Sequence, residues 1–161
     1  MDYLWTPWRY QYITEPERRE ECVFCAAAAC PDDSESLIVH RAARNFIIVN
    51  RFPYTSGHLM VVPYKHAATL TDFPDETLTE MTLLSRDCEK HLRALYGPDG
   101  LNLGLNIGTS AGAGVAGHLH LHILPRWTGD ANFMTTVAET RVLPEDLSVT
   151  WERLRAAFSA A

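Results

Sequence analysis

The chain has 161 residues, of which 47% are hydrophobic and 21% are charged, a balance typical of one globular domain with a buried core. Its formal net charge of −6 argues against a general DNA- or RNA-binding surface, because such a surface needs an excess of basic side chains. A small anionic ligand is compatible with this charge, since local dipoles and a few side chains can hold a phosphate group.

The N-terminal residues MDYLWTPWRYQYI contain no basic region followed by an apolar run, so we expect no secretory signal. No stretch approaches the roughly 18 consecutive apolar residues that a membrane-spanning helix needs. We therefore expect a cytoplasmic protein with reduced thiols. Its four cysteines are Cys22, Cys25, Cys30 and Cys88.

The first half of the chain predicts three short strands. A polar loop, PDDSES at 31–36, precedes LIVHR at 37–41 and NFIIVN at 45–50, which are rich in β-branched residues and close enough to form a hairpin. The turn RFPYTSG then leads into HLMVVP at 58–63, a strand that Pro63 ends.

The second half predicts two helices and two further strands. Apolar residues recur at three- and four-residue steps over 74–96, which indicates a long amphipathic helix. The alternating LNLGLNI at 101–107 is followed by a glycine-rich loop at 108–117 and a strand at 118–123. A last amphipathic helix is expected over roughly 145–158.

This order of elements favours an α+β fold. Strands outnumber helices and neighbouring strands have short connections, so we expect a mainly antiparallel five-stranded sheet with one long helix and a C-terminal helix. The length predicts a single domain over residues 1–161, with an N-terminal segment, 1–36, that carries a Cys-x-x-Cys pair.

Three histidines occupy alternate positions in GHLHLHILPRW at 117–127. In a strand, His118, His120 and His122 would share one face, with neighbours about 6.6 Å apart and the outer pair about 13 Å apart. Zinc–nitrogen bonds are about 2.0–2.1 Å long, so one ion cannot easily bind all three. The spacing therefore predicts that the histidines have different tasks, although a merely polar strand face is the alternative.

The glycine-rich loop before these histidines indicates one such task. Backbone N–H groups in a loop of this kind can hold phosphate oxygens. A neutral imidazole directed at that phosphate is a good nucleophile near pH 7, because its ordinary pKa is about 6.5. The central His120 is the candidate nucleophile, since it has a histidine on either side.

The HLHLHIL motif, closed by Pro125, resembles the H-φ-H-φ-H-φ-φ motif of the histidine-triad (HIT) superfamily, where φ is hydrophobic. The resemblance covers most of the chain. It includes VNRFPYTSGHLMVVP at 49–63 and the loop LNLGLNIGTSAGAG. The segments LWTPWRYQYI and PRWTGDANF at 125–133 most resemble the bacterial diadenosine tetraphosphate phosphorylase branch of the family.

The resemblance implies a HIT-like fold and cleavage of the phosphoanhydride of a dinucleoside polyphosphate such as diadenosine tetraphosphate. His120 would attack the α-phosphorus and form a covalent nucleotidyl-histidine, and His122 would support the leaving group. Phosphate as acceptor gives a phosphorylase and water gives a hydrolase, and the residues do not discriminate between them. The resemblance also implies a homodimer.

Several further residues acquire expected roles from the resemblance. Asn50 would hold the ribose, and His58 would lie near the active site. The residues expected around the phosphates are Asn106, Thr109, Ser110 and Gly114. Gly114 stands where many members of the family carry Gln, so backbone N–H groups or the hydroxyls of Thr109 and Ser110 would take that role.

We also expect apolar residues around Trp5, Phe46 and Ile48 to form part of the pocket that binds the nucleotide base. His40 and His91 have no evident partner and are expected at the surface. Cys88 lies on the apolar stripe of the long helix and is expected in the core.

Cys22-Val-Phe-Cys25 has the two-residue gap by which two thiolates reach one tetrahedral ion, although a redox pair or two ordinary cysteines can have the same spacing. No second Cys-x-x-Cys exists, so the other ligands would be histidines, with His66 and His118 as candidates and Cys30 as a substitute. This set resembles the structural zinc site of several HIT proteins. Such a zinc would leave His120 and His122 for phosphate chemistry.

Two other functions stay open from the sequence. One is hydrolysis of nucleoside phosphoramidates, another reaction of the family. The other is a zinc-stabilised nucleotide-binding module with little turnover, although a pure binder has no need of a nucleophile at His120.

Overall fold

A computed structural model describes residues 21–130 and 145–160 of the chain. Trp5 and most of the N-terminal segment lie outside the described residues, as does the end of the 125–133 motif. In the described part, no helix is both long and apolar enough to cross a membrane.

The described residues contain a five-stranded antiparallel sheet, as the sequence predicts. The strands are β1 (Ile38–Arg41), β2 (Asn45–Val49), β3 (Leu59–Pro63), β4 (Gly100–Leu105) and β5 (Leu121–Arg126). Their order in the sheet is β1-β2-β3-β5-β4, so the strand that carries His122 lies between β3 and β4.

The long helix and the C-terminal helix also form where they are predicted. The described helices are α1 (Val23–Ala29), α2 (Asp33–Ser36), α3 (Asp75–Tyr96) and α4 (Leu147–Ser159). Gly97 ends α3 in the left-handed conformation that glycine adopts without strain. The predicted loop at 31–36 is wrong in part, because Asp32 accepts a hydrogen bond from the Ser34 N–H and caps the single turn α2.

The sheet has a helix-covered face and a face that carries the histidines. In the register, Ile48 pairs with Met60 and Met60 with His122, so these three residues share one face. His40 pairs with Ile47, the neighbour of Ile48, and therefore lies on the other face. Its ring contacts Phe158 of α4 at 5.6 Å, which puts α4 on the face away from His122.

The prediction that His91 lies at the surface is wrong. His91 is buried on α3, and its ring lies 4.4 Å from that of Phe158. Helical spacing did predict Cys88, one turn earlier, to be in the core, and it is fully buried, which raises the pKa of its thiol. The packing of α4 onto α3 covers His91, and a pattern read along one helix cannot report that contact.

Candidate active site and metal site

The histidine segment is less regular than a single strand face. Because β5 begins at Leu121, only His122 lies in the strand, and the predicted strand start at residue 118 is wrong. The Leu119 N–H donates to the carbonyl of Ala67, beyond the end of β3, instead of continuing the ladder. The chain therefore leaves the ladder with β3 before β5 begins. The His120 and His122 rings lie 4.8 Å apart, centroid to centroid.

The first histidine of the triad faces the cysteine pair, as the sequence predicts. One ligand atom each from Cys22, Cys25, His66 and His118 lies within 4.8 Å of all the others. The Nδ1 atom of His118 is 3.3 Å from Cys22 Sγ and 3.7 Å from Cys25 Sγ, and His66 Nδ1 is 3.4 Å from Cys25 Sγ. Cys30, the substitute ligand, is not part of this cluster, and its Sγ lies 3.3 Å from the carbonyl oxygen of Asp32.

These separations fit a tetrahedral zinc ion. With zinc–sulfur bonds of about 2.3 Å and zinc–nitrogen bonds of about 2.0–2.1 Å, the sulfur–nitrogen edges of a tetrahedron measure about 3.5 Å. His118 Nε2 lies 2.8 Å from the carbonyl oxygen of Pro63, so Nε2 carries the proton and the Nδ1 lone pair faces the cluster. Metal-binding histidines typically donate a hydrogen bond from the ring nitrogen that does not bind the metal. Two thiolates and two imidazoles are the donor set of structural zinc sites.

The middle histidine is held in one tautomer. His120 Nδ1 lies 2.8 Å from the carbonyl oxygen of His118, an obligate acceptor, so Nδ1 carries the proton and Nε2 keeps its lone pair. The side chain is only 5% exposed. His120 therefore offers a neutral nitrogen nucleophile whose other nitrogen is fixed by the backbone.

The last histidine has the opposite tautomer. The Tyr54 N–H can only donate, and it donates to His58 Nδ1 at 3.2 Å, so the proton of His58 is on Nε2. His58 Nε2 lies 2.9 Å from His122 Nδ1 and donates to it. His122 therefore carries its own proton on Nε2. A lone pair on His120 and a donor on His122 thus lie on neighbouring rings.

Burial keeps both rings neutral near pH 7. It lowers the pKa of His120 below the ordinary value and, with the charge of His120 as a smaller cause, lowers the pKa of His122 from 6.5 to about 4. A neutral His122 keeps its single proton on Nε2, from which it can donate a hydrogen bond to an anionic oxygen.

The lowered pKa of His122 predicts acid destabilisation. Its folded value of about 4 is below the unfolded value of 6.5, so the unfolded chain binds the proton more tightly and stability is lost as the pH falls from about 6.5 towards 4. Between pH 7 and pH 4.5 the expected loss is about 2 kcal/mol. Urea unfolding of the wild type and of His122→Gln at pH 7 and pH 4.5 measures it, because other acid effects are common to both proteins. An equal loss in the two proteins would contradict this assignment.

Asn50 lies beside the histidines but is already engaged. Its Oδ1 accepts the Phe52 N–H at 2.9 Å. Its Nδ2 lies 3.4 Å from His58 Nε2, but both atoms are donors in the tautomer assigned above, so this contact is not a hydrogen bond. Asn50 is half-buried at the end of β2. The side chain therefore shapes the turn before His58 as well as lying within reach of the triad.

The glycine-rich loop holds the other residues expected around phosphate. A short 3-10 turn, Thr109–Ala111, occupies it, between Gly108 and Gly112, both of which have positive φ. Asn106 is half-buried directly after β4, and the remaining expected residues are exposed: Thr109, Ser110 and Gly114. The loop thus presents hydroxyls and backbone to solvent just before the histidine segment.

The prediction that Phe46 lines the pocket for the base is wrong. Phe46 is fully buried, with its ring 5.2 Å from that of Tyr64, so it has no surface to offer to a base. Ile48 is 7% exposed and lies on the His122 face of the sheet.

Two aromatic residues near the triad were missed in the sequence. The Tyr54 ring, 42% exposed, lies 4.9 Å from His58 and 6.1 Å from His122. Phe24, between the two cysteines, contacts His118 and His120. In the sequence, the proximity of Tyr54 to Gly57-His58 and the position of Phe24 between the two cysteines were the only indications that these residues lie near the site.

A cavity of about 230 Å³ is lined in part by His58. It is bounded by the turn that contains Arg51 and Ser56 and by the start of α4 at Leu147. Neither His120 nor His122 lines it, so it is separate from the histidine pair.

The fold and the paired histidines define a histidine-triad protein. The family model "HIT domain" matches residues 32–129, and the chain belongs to this family. It is 38% identical over 149 residues to a protein of Mycobacterium tuberculosis named AP-4-A phosphorylase, a match that covers 88% of this chain and 76% of that one. An uncharacterised 16.1 kDa HIT-like protein of Mycoplasma pneumoniae is 30% identical, with 83% of this chain and 89% of that protein covered.

Solved structures agree with this assignment. The crystal structure of a zinc-bound histidine triad family protein from Mycobacterium smegmatis superposes with a TM-score of 0.68 at 30% identity, over 88% of this chain and 95% of that one. A histidine triad nucleotide-binding protein from Sulfolobus tokodaii, described as hypothetical, also gives a TM-score of 0.68, at 27% identity, over 86% and 93% of the two chains.

Proposed function

We propose that this protein is an enzyme that cleaves dinucleoside polyphosphates of the diadenosine tetraphosphate type and passes the nucleotidyl group to inorganic phosphate. The observation that carries the proposal is the pair of opposite tautomers, with a lone pair on His120 Nε2 and a proton on His122 Nε2. The similarity to a relative named AP-4-A phosphorylase supports phosphate as the acceptor.

In the first step His120 Nε2 attacks the α-phosphorus of the substrate. A phosphorus–nitrogen bond forms as the bond to the leaving polyphosphate oxygen breaks, and that oxygen takes the electron pair. The His122 Nε2–H donates a hydrogen bond to the negative charge that develops on the leaving oxygen, and the polyphosphate leaves as an anion. The His58 Nε2–H donates to His122 Nδ1, so the proton of His122 stays on Nε2, which faces the reacting phosphate.

In the second step an oxygen of inorganic phosphate attacks the nucleotidyl-histidine. The phosphorus–nitrogen bond breaks, its electron pair returns to His120 Nε2, and a nucleoside diphosphate leaves. Asn50 would contact the ribose with its amide. The glycine-rich loop would bind the phosphates through Asn106, Thr109, Ser110 and the backbone at Gly114.

We assign zinc to the cluster of Cys22, Cys25, His66 and His118, because their spacing and donor types suit a tetrahedral ion. Four protein ligands leave no position for substrate, so the ion would supply structural stability rather than chemistry. The four cysteines all lie in the described part of the chain and form no disulfide there, which supports a reducing, cytoplasmic location. We treat residues 1–161 as one domain around this centre.

Product analysis tests the proposed reaction. Purified protein is incubated with diadenosine tetraphosphate, with and without inorganic phosphate. ADP and ATP that appear only with phosphate support the proposal. AMP and ATP regardless of phosphate would make the enzyme a hydrolase, and the absence of turnover would contradict the proposed reaction.

We also propose that the protein pairs with a second copy through β4. The two edges of the sheet differ: in β1 the carbonyls of Ile38 and Val39 accept hydrogen bonds from Trp151 and Arg155 of α4. In the described sheet β4 pairs with β5 alone, and its Leu103 is 48% exposed. An open edge with an exposed apolar side chain favours strand pairing with another chain.

Leu103→Lys is expected to convert the dimer to a monomer, because a charge on an open edge opposes pairing. Light scattering after gel filtration measures the mass. Leu70→Lys is the matched control, since Leu70 is also an exposed leucine, at 37%, but lies outside the sheet. A mass that is the same for wild type and Leu103→Lys would contradict an interface at β4.

A further inference from the structure

Phe24 is the residue of the Cys-x-x-Cys pair that metal binding leaves unexplained. It lies between Cys22 and Cys25, at the start of α1. Among the 7 residues of α1 it alone is buried, with 5% of its surface exposed. A large apolar ring is thus carried into the protein on the segment that supplies the two thiolates.

The Phe24 ring contacts two histidines with different tasks. Its centroid lies 5.4 Å from that of His118, edge to face at 68°, and 4.9 Å from that of His120, tilted at 45°. His122 contacts the same His120 ring at 4.8 Å and 74°. Two rings, Phe24 and His122, therefore restrict the plane of the His120 imidazole.

The hydrogen bond of His120 does not fix this plane by itself. Nδ1–H donates to the carbonyl of His118, only two residues earlier, and one such bond permits the ring to rock about its axis. Nε2 must point along the line of attack on phosphorus, and a misplacement of about 1 Å can cost about 10²-fold in rate. The ring contacts are what restrict this motion.

We propose that Phe24 is a positioning residue that sets the orientation of the His120 imidazole. This inference rests on the proposed function of His120. The metal-binding segment then acts on the nucleophile by two routes: the backbone carbonyl of the ligand His118, and the Phe24 ring held between the two thiolate ligands. The cluster stabilises the fold and also aligns the reacting nitrogen.

Phe24→Ala and Phe24→Leu test the inference, with Val23→Ala as the matched control, since Val23 is the other residue between the cysteines. We expect both Phe24 variants to retain zinc and to lower kcat, Ala by about 10–100-fold, with KM changed by less than about 3-fold. Leu fills part of the space and should recover part of kcat. Val23→Ala should leave kcat close to the wild-type value.

A second measurement does not depend on turnover. The ring resonances of His120 are assigned by NMR against His120→Ala, and they should move in the Phe24 variants but not in Val23→Ala. If wild type lacks turnover, the proposed function fails while these resonances still decide whether Phe24 orients the ring. Unmoved resonances would overturn the inference.

One kinetic result and one metal analysis would also overturn it. A higher KM with unchanged kcat would make Phe24 a wall of the nucleotide pocket instead. Loss of zinc from both Phe24→Ala and Phe24→Leu, measured as metal per chain, would make Phe24 a support of the metal site alone.

Discussion

His120→Ala is expected to lower kcat for a dinucleoside polyphosphate by about 10⁴-fold or more, because the reaction loses the nitrogen that forms the covalent intermediate. Binding of nucleotide should be retained, since the imidazole contributes one contact among many. Rapid-quench kinetics measures the loss of turnover, and calorimetry with a non-hydrolysable analogue measures binding. Mass spectrometry should detect a nucleotidyl adduct on the wild type only.

His40→Ala is the matched control, because His40 lies on the opposite face of the sheet against Phe158. It should keep turnover close to wild type. Turnover in His120→Ala comparable to the control would eliminate the covalent route and favour direct attack of the acceptor on the substrate.

Loss of one metal ligand is expected to have the largest effect on stability. Cys22→Ala leaves three ligands, and structural zinc in small domains supplies about 10–16 kcal/mol of apparent binding energy that is coupled to folding. A loss of only about 5 kcal/mol would lower Tm by about 10–20 °C in a chain of this size. Thermal unfolding followed by circular dichroism, together with zinc analysis, measures both effects.

Cys30→Ala controls for the loss of a thiol, since Cys30 lies on the same segment but outside the cluster. It should keep zinc and change Tm by a few degrees at most. A Cys22→Ala protein as stable as Cys30→Ala would contradict a structural role for the cluster. A chelator should reproduce the effect of Cys22→Ala in the wild type.

The sheet and its two main helices follow from local patterns. The apolar recurrence over 74–96 predicted α3 to within one residue of Asp75–Tyr96, because Pro and Gly punctuate both ends. The start of β5 was wrong by three residues, because Leu119 bonds to Ala67 and alternation of side chains cannot reveal a backbone partner.

The ligand cluster was predictable, but the protonation of the triad was not. Spacing made Cys22 and Cys25 partners, the absence of a second Cys-x-x-Cys pointed to His66 and His118, and the resemblance supported this set. The tautomers depend on the carbonyl of His118 and on the Tyr54 N–H, which reach the rings only in the folded chain. The contact of Phe24 with His120 likewise arises from docking of α1, which no pattern in the sequence specifies.

The ligand cluster also has a consequence for synthesis of the chain on the ribosome. Cys25 and His118 are separated by 93 positions, and Cys25 and His66 by 41. At about 5–20 residues per second, roughly 5–20 s pass between the synthesis of the two thiols and that of His118. During this interval Cys22 and Cys25 form only half a site, exposed to any ion or oxidant in the compartment. For the proposed zinc site, a short interval before the second half is made would therefore favour correct metal loading.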